Sequence, residues 1–149
     1  SLRIFDINLR LQYYTRETIH TSLEHADILK LNDEEVPIVA RLLGLEGDIE
    51  SVCRQVLTDY SLRAVILTRG ADGCSIYHEK GSVFHPSACI KVADTVGAGD
   101  SFTAGFVSAL LAGRSHLEAV ALATRVAAFV CSHHGAMPML PSEYRVVEA

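Results

Sequence analysis

Apolar residues change their spacing several times along the chain, and each change marks an element. Leu2-Arg3-Ile4-Phe5-Asp6-Ile7 alternates as a half-buried strand does. From Thr15 to Ala26, Ile19 and Leu23 share one helical face behind Thr15, which has the residue type of an N-cap. Ile28-Leu29-Lys30-Leu31 is a short strand. Asn32 then opens a helix that runs to about Leu43 and stops at Gly44, where a left-handed residue is wanted. Asp48 to Asp59 is a further helix, and Ala64-Val65-Ile66-Leu67-Thr68 is a continuous β-rich run of a strand covered on both faces. From Cys74 the strands shorten: Cys74 to His78 and Ser82 to His85 flank a hairpin turn at Glu79-Lys80-Gly81, and Ile90-Lys91-Val92 is a candidate for one more. Two long helices close the pattern, Ala98 to Ala112 and His116 to His133, joined at Gly113-Arg114. Strands alternating with helices predict an α/β sheet, mainly parallel in its first part. An apolar strand stands directly behind Ser1, so the pattern opens mid-domain.

Composition narrows the class without changing this picture. The chain has 149 residues, 49% hydrophobic and 21% charged, which suits one globular domain and excludes disorder, collagen-like repeats and coiled coil. Thirteen Lys and Arg against 18 Asp and Glu leave a net charge of −5, with no basic run longer than a pair, so the footprint of a nucleic-acid binder is missing. A nucleotide phosphate remains open as a ligand, because backbone amides bind it without net positive charge. The four cysteines form no Cys-x-x-Cys pair, which argues against a zinc knuckle or thioredoxin-like motif. The start of the chain does not read as a signal peptide, and the apolar stretches near 102–112 and 117–131 are interrupted by Gly, Ser, Arg or Glu, against a membrane span. The expected setting is reducing and cytoplasmic.

The strongest chemical signal is Asp94-Thr95-Val96-Gly97-Ala98-Gly99-Asp100-Ser101-Phe102, which runs into an apolar helix. Gly97 and Gly99 let a ligand approach the backbone, and the helix that follows points unpaired N–H groups at it: an anion hole. Asp100 beside such a hole has the chemistry to accept a proton from a nucleophilic hydroxyl, the pairing that phosphoryl transfer requires. The competing structural reading is a glycine turn with Asp100 satisfying the first turn of the helix. There is no Gly-x-x-x-x-Gly-Lys-Ser/Thr, so this is not a P-loop, and the dinucleotide fingerprint fails because its third small position falls on Phe102.

Residues Asp94 to Gly113, DTVGAGDSFTAGFVSALLAG, resemble the C-terminal signature of the ribokinase-like (PfkB) carbohydrate kinases. Other segments resemble the family in register. Asp6-Ile7-Asn8-Leu9-Arg10 is similar to its D-P-N-x-R strand end, with Ile7 in place of proline. Asn32-Asp33-Glu34-Glu35 resembles N-x-x-E, Thr68-Arg69-Gly70-Ala71-Asp72-Gly73 resembles T-x-G-x-x-G, and Gly135-Ala136 matches the G-A after the last long helix. The wording at Asp6 to Arg10 and at Asn32 leans towards the fructokinase-like members.

The resemblance implies a three-layer, Rossmann-like sheet with flanking helices over residues 1–149, incomplete because the family's N-terminal half and lid are missing. It implies ATP-dependent phosphorylation of a sugar hydroxyl, with Asp100 as catalytic base and Gly97, Ala98 and Gly99 around the transferring phosphoryl group. Thr68, Gly70, Gly73, Thr124 and Gly135 would flank ATP. Asn32 and Glu35 would organise Mg²⁺ through water, and Asp94 and Val96 a monovalent cation such as K⁺. Asp6, Asn8 and Arg10 would stand near the substrate. The full enzyme would be a homodimer with no nucleic-acid or membrane partner, and this chain alone would be inactive or nearly so.

Structural readings stand beside these roles. Asn32-x-x-Glu35 is also a capping box. Thr68-x-Gly70 is also a strand leading into a turn, and Asp6, Asn8 and Arg10 are also strand-end polar residues. His133-His134 lacks a third ligand at a metal-binding spacing and suits a solvated helix end. Two alternatives to a sugar kinase remain open: a non-catalytic nucleotide-binding regulatory module, and a nucleoside or vitamin kinase of the same superfamily.

Overall fold

The computed structural model of the chain describes residues 1–9, 13–87 and 92–144. They form two compact units, Ser1–Gly70 with Cys74–Phe84, and Ala71–Gly73 with His85–Ala149.

In the first unit, β1 (Ile4–Asp6), β2 (Ile28–Asn32) and β3 (Ala64–Thr68) run parallel, and β4 (Cys74–His78) pairs antiparallel with β3. β5 (Gly81–His85) follows β4 after two turn residues, and the sheet order is β1-β2-β3-β4-β5. The expectation of a sheet parallel in its first part therefore holds. Helices α1 (Arg16–His25), α2 (Val36–Leu43) and α3 (Ile49–Asp59) supply the connections between the parallel strands. Their starts are set by local chemistry: Thr15 Oγ1 accepts from the Thr18 amide at 3.1 Å, and Asp48 Oδ1 from the Ser51 amide at 2.8 Å.

Strand alternation sends Leu29, Leu31, Val65, Leu67 and Tyr77 into one cluster with Ile19, Leu23, Val36, Val39, Val52 and Val56 of the three helices. Each such fully buried aliphatic side chain contributes about 1.5–3 kcal/mol, which makes this cluster the main anchor of the strand ends discussed below. Ile28, Ile66 and Ile76 occupy the alternate strand positions and are buried as well.

In the second unit, α4 (Ala98–Leu111) and α5 (His116–Cys131) form a helical hairpin. Ser115 and Glu118 close a capping box at the start of α5: the Glu118 amide donates to Ser115 Oγ at 3.3 Å, and the Ser115 amide to Glu118 Oε2 at 2.9 Å. Small residues let the two helices approach. A Cβ built on Gly105 would stand 3.1 Å from Ala123 Cα, and Ala109, Ala119 and Ala123 are fully buried. No helix among the described residues is long and apolar enough to cross a membrane.

Two sequence expectations change. Asn32 does not open a helix: it is the last residue of β2, and α2 begins at Val36. Asn32 and Glu35 still exchange the two bonds of a capping box, but across the turn that separates strand from helix. Pro37 in the first turn of α2 is the signal that marks the later start, since proline needs no amide partner there. The candidate strand at Ile90-Lys91-Val92 falls largely outside the described residues; Val92 itself is not in a strand.

Candidate functional site

The three parallel strands end on Asp6, Asn32 and Thr68, the edge at which parallel α/β sheets bind ligands. Asn32 and Thr68 are register partners, and the Asp33 amide donates to Thr68 O at 3.1 Å, so the ends of β2 and β3 are fastened together. Thr68 Oγ1 donates to Leu31 O at 3.4 Å. Beyond Thr68, the Arg69 guanidinium holds Ser75 Oγ at 2.7 Å, and Gly70 (φ +50°) begins a 3-10 turn over Gly70–Asp72 that Gly73 (φ +102°) closes.

Glu35 is buried, and both of its carboxylate oxygens accept backbone amides: Oε1 from Leu9 at 3.0 Å, Oε2 from Asn32 at 2.8 Å. Asn32 Oδ1 accepts in return from the Glu35 amide at 2.9 Å. Burial pushes the Glu35 carboxyl above the ordinary glutamate value, opposed by those two amides and by the nearby Lys30 ammonium. Asp6 is bound through both oxygens to Lys30 Nζ, at 2.9 and 3.1 Å. Asn8 is exposed two residues beyond β1, and Arg10 lies outside the described residues.

In the helical unit, Gly97 is the N-cap of α4 with φ +80°, a backbone conformation that a side chain strains. A Cβ there would also meet the Cβ, Cα and carbonyl O of Ala136 at 2.8 to 2.9 Å, so two independent constraints require glycine. The Ala98 amide makes a long bond to Thr95 O at 3.3 Å, and the Ser101 amide donates to Gly97 O at 2.9 Å. Among the described residues the amides of Gly99 and Asp100 donate to no backbone carbonyl. They are the open donors of a helix N-terminus, where an anion is favoured by both hydrogen bonding and the helix dipole. The Asp100 side chain is exposed in this same first turn.

Asp94 shapes the loop in front of these donors. Its Oδ1 accepts from the Val96 amide at 3.0 Å and its Oδ2 from the Gly135 amide at 3.2 Å, and these two bonds hold its carboxyl below the ordinary aspartate value. Asp94, Val96, Gly97 and Gly135 are thus brought together. Thr124 on α5 is 7% exposed, and its Oγ1 is buried with no hydrogen-bond partner, an orphaned polar atom in an otherwise satisfied helix pair. His133 lies just past the Ser132 C-cap of α5, exposed, with Nδ1 2.8 Å from Phe129 O.

Among the described residues no group of three His, Cys, Asp or Glu side chains is placed to hold a metal. One carboxylate, Glu35, beside one carboxamide, Asn32, fits an ion that keeps most of its water and takes its remaining ligands from a substrate, as Mg²⁺ does. Lys30 and the Leu9 amide are the participants that motif reading misses. A lone charge in the apolar strand Ile28-Leu29-Lys30-Leu31 was the available signal, because a buried ammonium requires a partner.

The sequence profile of the family described as "pfkB family carbohydrate kinase" matches residues 2–143. Over 97% of its length the chain is 32% identical to "Probable fructokinase-6, chloroplastic" of Arabidopsis thaliana and covers 40% of that protein. It is 34% identical to a nucleoside kinase of Methanocaldococcus jannaschii, over 97% of this chain and 45% of the other. The crystal structure of aminoimidazole riboside kinase from Salmonella enterica, complexed with aminoimidazole riboside and an ATP analog, superposes with a TM-score of 0.76 at 29% identity, over 93% of this chain and 48% of that one. The α/β fold expected from the sequence is the ribokinase-like fold of these proteins. The chain spans less than half the length of each of these three.

Proposed function

The chain belongs to the pfkB family of carbohydrate kinases, and on that premise we propose that it carries the nucleotide-binding and proton-accepting residues for transfer of the γ-phosphoryl group of ATP to a sugar hydroxyl. The observation that carries this reading is the start of α4: open amides at Gly99 and Asp100 behind a glycine N-cap, with a carboxylate in the same turn. Those amides, with the Gly97 backbone and Ala98 at the turn, offer fixed dipoles to charge developing on the phosphoryl oxygens. Asp100 accepts the proton of the attacking hydroxyl, the general-base step.

Thr124, whose hydroxyl lacks a protein partner, and Gly135 are assigned to the nucleotide in the helical unit. Asp94 and Val96 are assigned to a monovalent cation such as K⁺. At the strand ends, Thr68, Gly70 and Gly73 are assigned to the nucleotide, and Asp6, Asn8 and Arg10 to the substrate. Asn32 and Glu35 would hold Mg²⁺ through its waters; the ion, when bound, neutralises phosphate charge. Glu35 keeps the strand ends in place whether or not the ion is there, through the Leu9 and Asn32 amides.

A second reading, a nucleoside acceptor, draws support from the identity to the archaeal nucleoside kinase. Both acceptors present a primary or ring hydroxyl to the same base, so the chemistry does not separate them. We further infer that the 149-residue chain alone turns over little, since it spans less than half the length of its relatives, and that the full-length enzyme is a homodimer. ADP release measured on a panel of sugars and nucleosides with MgATP tests the reading. The panel is run on the chain alone and on a chimera that adds the N-terminal half of a family member. Turnover on a sugar supports the first acceptor and turnover on a nucleoside the second. MgATP binding with no turnover on any alcohol would leave a regulatory nucleotide-binding module.

A further inference from the structure

Arg69 has no part in the roles assigned above, although it stands between Thr68 and Gly70, two residues assigned to the nucleotide. Alternation along β3 puts Val65 and Leu67 on the face that packs on the helices, and Arg69 continues that face beyond the strand end. Ser75 and Tyr77, the register partners of Leu67 and Val65 on β4, are buried. The half-buried guanidinium turns back across them: Nη1 donates to Ser75 Oγ at 2.7 Å and Nη2 to Tyr77 OH at 3.4 Å. The Cys53 and Cys74 thiols also lie near it, but burial pushes both up to about 12, so neither carries charge at pH 7. A planar fork on two acceptors fixes a geometry that a point charge does not.

The turn that these bonds close is not fixed by packing. Thr68 and Cys74 are the last paired positions of β3 and β4, and the Gly70–Asp72 turn buries none of its residues. Gly70 and Gly73 both have left-handed φ values, and glycine at both ends leaves many backbone conformations open. The Arg69 fork stands one residue outside the last strand pair, where it limits them.

We propose that Arg69 is a positioning residue of the strand edge: its guanidinium ties the strand that enters the turn to the strand that leaves it, and so presets the backbone at Thr68 and Gly70 for the nucleotide. The proposal rests on the kinase reading of that turn and adds a residue to it. Arg69 contacts no phosphate in this role and acts through Ser75 and Tyr77. A preset backbone spares the ligand the cost of ordering it, so loss of the tie is felt as affinity.

The test is calorimetric titration of the chain with MgADP, well below the melting temperature of each protein, for wild type, Arg69→Met, Ser75→Ala, their double variant and Arg54→Met. Arg69→Met should weaken binding by about tenfold, the scale of one lost charge-assisted hydrogen bond. Ser75→Ala should weaken it in the same direction by a smaller factor. The double variant should bind no worse than Arg69→Met, because both changes remove one interaction. Arg54→Met is the structural control. Arg54 lies over the Tyr77 ring, 5.4 Å from its centroid, so its loss disturbs Tyr77 from α3 without touching the fork. It should lower the melt and leave affinity unchanged. A purely structural role for Arg69 would lower the melts of Arg69→Met and Ser75→Ala at wild-type affinity, and that result overturns the proposal. So does a loss of affinity in Arg54→Met equal to that in Arg69→Met. Weakening by Arg69→Met that Ser75→Ala does not share would mark a direct phosphate contact and overturns it too, as does an additive loss in the double variant. If Arg69→Met does not fold, by its circular-dichroism melt, the affinity of Ser75→Ala against that of Arg54→Met decides the question. Failure of the wild-type chain to bind MgADP would overturn both this role and the kinase reading, whereas wild-type binding that is unchanged by Arg69→Met and Ser75→Ala overturns this role alone.

Discussion

Asp94 and Gly135 are 41 residues apart in sequence and are joined by a 3.2 Å bond from the Gly135 amide to Asp94 Oδ2. The other oxygen of the same carboxylate takes the Val96 amide, so one side chain sets both the loop before α4 and the turn after α5. The Val96 amide first and the Gly135 amide second lower the Asp94 pKa. A carboxyl lowered on folding contributes stability that is present above its unfolded value and lost as pH falls through the folded one. Protection of the Gly135 amide, measured against its intrinsic exchange rate at each pH, should therefore persist from neutrality down through the ordinary aspartate value of 3.8 and be lost only below it. Asp94→Ala should lose this protection at every pH, and Asp94→Asn, which keeps one acceptor oxygen, should retain part of it.

Gly97→Ala should be costly out of proportion to one methyl group. The left-handed backbone alone costs an alanine roughly 1–2 kcal/mol, and the added Cβ overlaps the backbone of Ala136 as well as its Cβ. A thermal melt several degrees below wild type is expected, together with loss of MgADP binding. A variant that melts and binds as the wild type does would show that this glycine is replaceable.

Asp100→Asn should behave in the opposite way. The side chain is exposed and, among the described residues, accepts no hydrogen bond that holds the fold, so stability and MgATP affinity should be retained. Turnover in the chimera should fall by roughly 10²–10⁴, the usual contribution of a general base. Undiminished turnover would remove Asp100 from the chemistry.

Glu35 gives a pH signature of the other sign. Burial raises its pKa above the ordinary value of 4.5, so the folded state holds the proton more tightly than the unfolded chain does. Its contribution to stability is present in full below that value and is lost as pH rises through the folded one. Denaturant melts taken between pH 4 and 7 should show this slope, and Glu35→Gln should flatten it. Glu35→Ala strands the Leu9 and Asn32 amides and should cost about 1–3 kcal/mol for each donor left dry.

How much of this was legible depended on range. The strand Ala64 to Thr68, the helix behind Asp48 and the Thr15 cap follow from residues within one or two turns of one another, and the structure reproduces them. The spacing at Asn32 predicts a helix start because Asn-x-x-Glu makes the same two hydrogen bonds at a strand-to-turn junction as at a helix N-terminus. Pattern alone does not tell the two apart; Pro37 does. The pairing of Lys30 with Asp6 and of Asp94 with Gly135 depends on strand register and on where a helix ends, which no local spacing encodes. In the loop itself, the local spacing predicts the start of α4 beside Gly97 and Asp100, where the structure has it, while the constraint that makes Gly97 obligatory comes from Ala136, far along the chain.

The close crossing of α4 and α5 at Gly105 turns α4 into a lever with a fixed fulcrum. Gly105 lies eight residues from Gly97, about 12 Å along the axis at 1.5 Å per residue. A methyl group at the crossing would stand 3.1 Å from Ala123 Cα, so the facing helix would have to give by a few tenths of an ångström to admit it. The aim of the Gly99 and Asp100 amides is thus tied to a crossing about two helical turns away. A substitution at Gly105 would be transmitted along α4 to the turn that carries Asp100.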